Sequence, residues 1–454
     1  MHPLMSRYQP APAVRTPPLP AMLPAAALSM AEVLALHDIA QFRRLRIVSW
    51  DAGVFYQVIA DQSTPRYFDV ASGRERVDGD RDYAIALARH YLAEAGLPIA
   101  AVTRVEAFDA DYHAVNRLLP VYRIDLGRPD RLRVYVATES SALATLVDAR
   151  KALYGRVFTT LHNWRFLGAD DALRVPVAAA FVVTAFVTPL LGLALHVRTP
   201  ARTASPPRVR LHRTFGLVVS VTLLASAGSG GFHLLKSAAD RADSSTVPRR
   251  AWPEIASTTL ASETSLPSAS AETGVIVVDG KPYIRSRDAS PTPQTSAHHA
   301  AHAAALRALP SATYWASTSD TEAPVDDAPL DDEHYARSLA QHFSGRPGAA
   351  IASVAAVTEF GGEYGFINKL LPVYRVTYRA PYADRYYVHL DSAALAAHVD
   401  DFDYVEGWTF AHLHKWQWLE PIGRWPRDLL MMAFALGAAV VGVLGFVLFL
   451  RRPA

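Results

Sequence analysis

Leu161-His162-Asn163-Trp164 stands a few residues before the uncharged run Val175–Leu195, and Leu413-His414-Lys415-Trp416 stands before another, Leu429–Leu450. One phrase written twice, each time at the entrance to an apolar segment, sets the organisation of the chain. Working outward from it, Tyr83–Trp164 overlays Tyr335–Trp416 at a constant offset and without a gap. About 34 of the 82 aligned positions are identical, far more than unrelated stretches share, so the match is an internal repeat. Its best-matched part is NRLLPVYR (Asn116–Arg123) against NKLLPVYR (Asn368–Arg375). The chain reads as a duplicated unit: soluble domain, histidine at the membrane surface, transmembrane helix.

A third uncharged run, Thr214–Leu235, lies between the other two. Each runs about 21 or 22 residues, enough to cross a bilayer as a helix. With boundaries widened to the flanking turns, the spans are expected at 172–197, 212–237 and 427–450. The loop at 198–211 and the start of the second span carry Arg198, Arg202, Arg208, Arg210 and Arg213 with no acidic residue, and Arg451 and Arg452 follow the last span. The positive-inside rule puts both regions, and the C-terminus, in the cytoplasm. The soluble domains then face the periplasm of a bacterial inner membrane. A first domain exported without a visible leader implies a lost fourth span before it. His2-Pro-Leu-Met-Ser6 resembles His233-Leu-Leu-Lys-Ser237 at the outer end of the second span, which agrees with that reading.

Composition narrows the chemistry. With 45 basic and 43 acidic residues, net charge predicts no nucleic-acid partner. The absence of cysteine removes disulfides, zinc-thiolate sites, iron–sulfur clusters and covalent c-type haem attachment. Walker, HExxH, GxSxG and GxGxxG motifs are all missing, so no nicotinamide or flavin domain is encoded.

In chain order, residues 1–28 read as a Pro- and Ala-rich linker. Met30–Ile39 is a candidate helix, and Arg44–Trp50, Val54–Ile59 and Arg66–Val70 alternate as a small antiparallel sheet. Asp80 or Asp82 can cap a helix over Tyr83–Ala95. Alternating segments follow at Ala101–Phe108, Leu119–Leu126 and Leu132–Thr138. The first soluble region is 29–152, with its repeat unit at 78–152, and the second is 331–404. Juxtamembrane LHxW segments cover 153–171 and 405–426. Residues 238–330 read as a low-complexity insertion with one strand, Val275–Tyr283. Within it His298, His299 and His302 have a spacing that suits either a metal or a polar tract.

The VYR-type strands, with Tyr67-Phe68-Asp69-Val70-Ala71-Ser72-Gly73 before them, resemble PepSY domains. The LHxW-led spans, and the span begun by Leu211-His212-Arg213-Thr214-Phe215-Gly216, look like the PepSY-associated transmembrane family. The fold class expected is therefore a membrane α-helical protein with duplicated small α+β PepSY-type extracytoplasmic domains. Typical members carry four spans, and the family includes iron-regulated membrane proteins and ferric-siderophore reductases. The resemblance implies b-type haem held by boundary histidines and electrons passed across the bilayer.

The residues agree in kind, since an ionisable ring near hydrocarbon is costly without a partner. His162, His233 and His414 fall at the outer surface, His196 and His212 at the inner. His212 and His233 are 21 residues apart on one helix, about 31 Å along the axis and within roughly 60° around it. Neutral imidazole is a common ligand of haem iron. Trp164, Trp416, Trp418 and Trp425 also make an ordinary aromatic belt, to which a lone boundary histidine could equally belong. Arg123, Arg375, Arg133, Arg385, Tyr135 and Tyr387 recur between repeats and could line a site for an anion. The expectations are an electron-transfer protein with haem b, a quinol or separate reductase as donor, and a periplasmic ferric chelate as acceptor. The alternative is a membrane-anchored PepSY module that binds a periplasmic protein or ligand without redox chemistry.

Overall fold

Apolar residues alternate along Val121–Leu126 and again along Val373–Tyr378, and each run becomes the second strand of a four-stranded antiparallel meander. The computed structural model describes residues 9–18, 23–24, 26–61, 64–109, 111–168, 171–199, 206–243, 247–260, 270–288, 312–316 and 330–450. They fall into two units: 10–148 with 246–400, which holds the sheets, and 1–9 with 149–245 and 401–454, which holds the apolar helices.

In the sheet-bearing unit the two aligned stretches fold alike. The first meander runs Ile99–Val105, Val121–Leu126, Arg133–Ala137, Ala142–Val147; the second runs Ile351–Val357, Val373–Tyr378, Arg385–His389, Ala394–Val399. Their bulges fall at matched places, Ile99/Ala101 with Ile351/Ser353 and Tyr135/Val136 with Tyr387/Val388. Each meander buries one face under a helix. Tyr83, Leu87 and Tyr91 of the Gly79–Leu92 helix pack on Ile124, Val134 and Val136. Tyr335 and Leu339 of the Asp332–Ser344 helix pack on Val376, Val388 and Leu395. Each such side chain taken from water stabilises the fold by about 1.5–3 kcal/mol.

The helix expected at Tyr83–Ala95 begins earlier, at Gly79, and ends at Leu92 with Ala93 left-handed. Neither Asp80 nor Asp82 caps it. Asp80 is buried inside the first turn, where the Tyr67 hydroxyl donates to its carboxylate at 2.7 Å. The equivalent helix is capped as expected of an acidic N-terminus, Asp331 accepting from the His334 N–H at 2.8 Å. The short N-terminal helix covers Met30–Leu36 and carries a full capping box between Ser29 and Glu32. Within the 1–28 stretch, Ala13 and Val14 donate to the Tyr91 carbonyl, so part of the expected linker is fastened to a helix end.

Residues 238–330 differ most from expectation. Val275–Tyr283 is no single strand: Asp279-Gly280, both at positive φ, turn Ser270–Val278 back into Lys281–Asp288. Ala312–Ala316 adds a third strand. These three extend the sheet of Arg44–Trp50, Gly53–Ile59 and Arg66–Asp69 to six strands, joined where Gly274 and Val275 pair with Arg46 and Leu45. A Cβ on Gly274 would lie 3.1 Å from the Leu45 carbonyl oxygen, so the join needs glycine. Low-complexity flanks hid a set of strands tied to the rest of the sheet by a pairing more than 200 positions away in the sequence. His298, His299 and His302 lie outside the described residues.

In the helical unit, Ala172–Arg198, Pro207–Ala239 and Arg424–Leu450 are long and apolar enough to cross a membrane. The second helix starts at Pro207, so Arg208 and Arg210 stand on its first turns and not in a loop. Hydroxyls within the spans are satisfied by their own helix, Thr184 by the Ala180 carbonyl and Ser220 by the Gly216 carbonyl, as hydrocarbon surroundings require. Gly231 receives Val182 so closely that a Cβ would meet it at 2.9 Å, the close approach that small residues permit between spans.

Candidate functional site

Two helices, Ala149–Leu161 and Asp401–Thr409, follow the last strand of each meander in the chain and run up to the LHxW phrase. The second continues as a π-helical turn, Phe410–His414. Trp164 and Trp416 both take the left-handed conformation, φ 58° and 52°, which stops each helix one residue past its histidine neighbour.

The rings of His162 and His414 come together, their centres 6.3 Å apart and their planes at 64°. Each is stacked on the phenylalanine four residues before it: Phe158 on His162 at 4.7 Å and Phe410 on His414 at 4.8 Å. The His414 Nδ1–H donates to the Ser226 carbonyl oxygen at 3.1 Å. That bond fixes the tautomer and leaves Nε2 with its lone pair. Gly230 makes room for the ring, since a Cβ there would stand 3.2 Å from His414 Cε1. Desolvation lowers the pKa of both rings, so the neutral, ligating form prevails at neutral pH.

His233 joins the cluster from the second span. Its ring also stacks on Phe410, 4.2 Å between centres, and its Nδ1 lies 2.5 Å from Glu406 Oε1. One turn on, Lys236 pairs with Asp403 at 2.5 Å. The outer histidines expected from the sequence, His162, His414 and His233, are thus brought together.

At the opposite end of the spans His212 rests against Gly445, where a Cβ would meet His212 Cε1 at 3.1 Å. Its Nδ1 is buried without a hydrogen-bond partner among the described residues. His196 offers its carbonyl to Arg213, which also reaches the Thr199 carbonyl at 2.6 Å. The His196 ring makes no hydrogen bond among the described residues, and its geometry adds nothing to the expectation.

Sequence reading passed over Phe158, Phe410, Ser226, Gly230 and Glu406. Phe158 and Phe410 were legible, as the first letter of an FxxLHxW phrase common to both repeats. Gly228-Ser229-Gly230-Gly231 was a visible signal of close approach, but not of what approaches. Glu406 aligns with Tyr154, so the repeat gave no hint of it.

Three of the four arginines expected to line an anion site are engaged by carboxylates. Arg133 is met by Asp111 at 2.6 Å, Arg385 by Glu363 at 3.0 Å and Arg123 by Asp125 at 3.0 Å. Tyr135 and Tyr387 are buried and stacked on Tyr112 and Tyr364.

Three helices fit to cross a bilayer, with three histidines gathered within the same unit, and a second unit of α+β build define a membrane protein of the PepSY-bearing class. A family model described as the PepSY-associated TM region matches residues 46–452, and the chain belongs to that family. No curated protein and no solved structure matches it.

Proposed function

We propose that this protein binds haem b at the His162–His414 pair and carries electrons across the bacterial inner membrane to a periplasmic acceptor, a ferric chelate. The observation that supports this reading most is the spacing of the two rings. The two rings stand with their centres 6.3 Å apart, near enough that both would hold one haem between them, imidazole being a common ligand of haem iron. The donor set also fits: one Nδ1–H is committed to a carbonyl, and glycine stands where a bulkier residue would push His414 aside. Among the described residues no group of three or more His, Asp or Glu side chains is placed to hold a bare metal ion, so a two-histidine centre suits a ligand that brings its own equatorial donors.

Bound haem would supply one-electron chemistry. The chain's own residues would orient and tune it: Phe158 and Phe410 hold the ring planes, Ser226 sets the tautomer, and Glu406 keeps His233 turned to itself. His212, with its bare buried Nδ1, is the candidate for a second ligand site near the inner face, and His196 and His233 follow. The duplication of domain, boundary histidine and span supports a reading in which the pair serves one shared centre. The arginine-rich segments support a reading with the sheet-bearing domains and the acceptor outside and a quinol or separate reductase as donor.

The test is a reduced-minus-oxidised visible spectrum of protein purified from haem-supplied cells. A low-spin haem spectrum is expected, lost or turned high-spin in His162→Ala and in His414→Ala, and kept in His233→Ala. A protein without haem under those conditions would favour a PepSY binding module that does no redox chemistry. Loss of haem in His233→Ala alone would transfer the ligand role to that residue.

A further inference from the structure

The two repeated domains share a fold but part in chemistry at one corner. In the first, Val134 and Leu146 face each other across neighbouring strands, and Leu126 and Leu132 are buried in the same core. The second domain carries Tyr386, His398, Tyr378 and Asp384 at those four positions, and Tyr386 again pairs directly with His398. Replacing buried aliphatic side chains by polar and ionisable ones costs stability unless the new groups are partnered.

Here they are partnered in an ordered way. The His398 Nε2–H donates to Asp384 Oδ2 at 3.0 Å, and Arg346, just past the end of the Asp332–Ser344 helix, pairs with the same oxygen at 2.8 Å. A proton held on Nε2 by a carboxylate leaves Nδ1 with its lone pair, the arrangement that orients a metal-binding imidazole. The His398 Nδ1 makes no hydrogen bond among the described residues, and the side chain is 38% exposed, against 6% for Asp384. The Tyr386 ring lies 4.5 Å from the imidazole. The Arg346 guanidinium stands over the Tyr382 ring at 4.2 Å and the Tyr386 ring at 6.0 Å. Tyr382, in the turn before the third strand, is exposed. Among the described residues neither the Tyr382 nor the Tyr386 hydroxyl is hydrogen-bonded, whereas the Tyr378 hydroxyl is taken by Ser344 at 2.9 Å.

Imidazole and tyrosine are both ligands of iron, and a guanidinium beside them suits the carboxylates of a chelator. One nitrogen and two phenol oxygens do not fill the coordination sphere of a ferric ion, so the iron has to arrive with donors of its own.

We propose that His398, Tyr386 and Tyr382, with Arg346 as anchor for the chelator's carboxylates, form a ferric-chelate site on the second domain, and that the first domain, aliphatic at the matching positions, has none. As the seat of the electron acceptor the site rests on the electron-transfer reading; as an iron site it is tested apart from it.

The experiment titrates ferric citrate into the full chain in detergent, purified without haem. It reads the iron retained on equilibrium dialysis and the visible phenolate-to-iron charge-transfer band. Both are expected in the native chain. Iron affinity should fall by about tenfold or more in Tyr386→Phe, in Tyr382→Phe and in His398→Gln, whose amide can still donate to Asp384. It should be unchanged in Tyr404→Phe, exposed on a helix of the other unit. The double variant Tyr386→Val/His398→Leu gives the second domain the first domain's pair, and should lose the band while still melting cooperatively. Redox-inert gallium citrate should compete with ferric citrate, and iron-free citrate at the same concentration should not. Absence of the band, equal iron binding in all variants, or equal competition by iron-free citrate overturns the proposal. Haem is read separately: iron binding with the band in a chain that takes up no haem supports the site and removes the electron-transfer reading alone. A haem-bearing chain that binds no ferric citrate removes the site alone.

Discussion

Arg285→Gln tests the reading of the sheet-bearing unit's core. Arg285 is 4% exposed and reaches Asp332 at 3.0 Å, Asp391 at 2.5 Å and the Tyr314 hydroxyl at 3.2 Å. Burial by itself would raise both carboxyls, but Arg287 and Arg285 outweigh it and hold Asp391 well below the usual carboxylate range, and Arg285 outweighs it at Asp332, whose pKa is lowered. Glutamine restores a donor but no charge, leaving two buried carboxylates to Arg287, which lies 3.3 Å from Asp391 and 3.6 Å from Asp332. Breaking a buried pair from one side costs about 3–5 kcal/mol, a fall of roughly 5–15 °C in melting temperature for a unit of this size. The pH dependence gives a second readout. In the native chain both aspartates have depressed folded pKa values, so their stabilisation is present above the unfolded value and is lost only in acid. In the variant their pKa values rise, the penalty exists above them, and protonation relieves it. The gap between variant and native chain should therefore narrow as the pH falls from 7 to 5. Thermal melting of the full chain in detergent, followed by intrinsic tryptophan fluorescence with Trp50 and Trp252 in this unit, measures it. A fall under about 2 °C, or a gap independent of pH, would refute the argument that one buried arginine neutralises two carboxylates.

His389 is 5% exposed, and burial pushes its imidazole down to about 4, Asp391 opposing and the neighbouring arginines adding. The unfolded chain takes up this proton first, so stability should be full above pH 6.5 and fall by up to about 3 kcal/mol between pH 6.5 and 4; His389→Gln should flatten that stretch of the pH–melting curve. Gly230→Leu should cut the haem retained through purification at least tenfold, whereas Gly442→Leu, where an added side chain meets nothing within 4 Å, should not. For topology, Thr199→Cys and Ser72→Cys in this cysteine-free chain should label oppositely with an impermeant maleimide in cells with a permeable outer membrane: Ser72→Cys reactive, Thr199→Cys protected. The reverse pattern would put the sheets and any acceptor on the cytoplasmic side.

The sequence by itself determined the parts whose signal is local or repeated. Uncharged runs of 21 or 22 residues fix three spans, because a bilayer demands length and apolarity and little else. The alternation in Val121–Leu126 and Val373–Tyr378, and the match between their surroundings, located two helix-on-sheet folds with strand bounds off by only a few residues. The LHxW phrase, recurring before two spans, singled out His162 and His414. What it could not carry was any pairing across distance. The strand Ser270–Val278 joins Arg44–Trp50, far away in the chain, and carries Lys281–Asp288 and Ala312–Ala316 onto the same sheet, while their own composition reads as a polar insertion. Asp80 looked like a helix cap, and only the packing of Tyr67 against the first turn makes it a buried acceptor. Of the arginines marked by the repeat, Arg133, Arg385 and Arg123 are met by Asp111, Glu363 and Asp125. Glu406 meets His233 from 173 residues away and has no counterpart in the first repeat. Ion pairs and ring distances depend on where separate segments end up in space, and that is decided by burial of whole faces, a property no single stretch of sequence possesses.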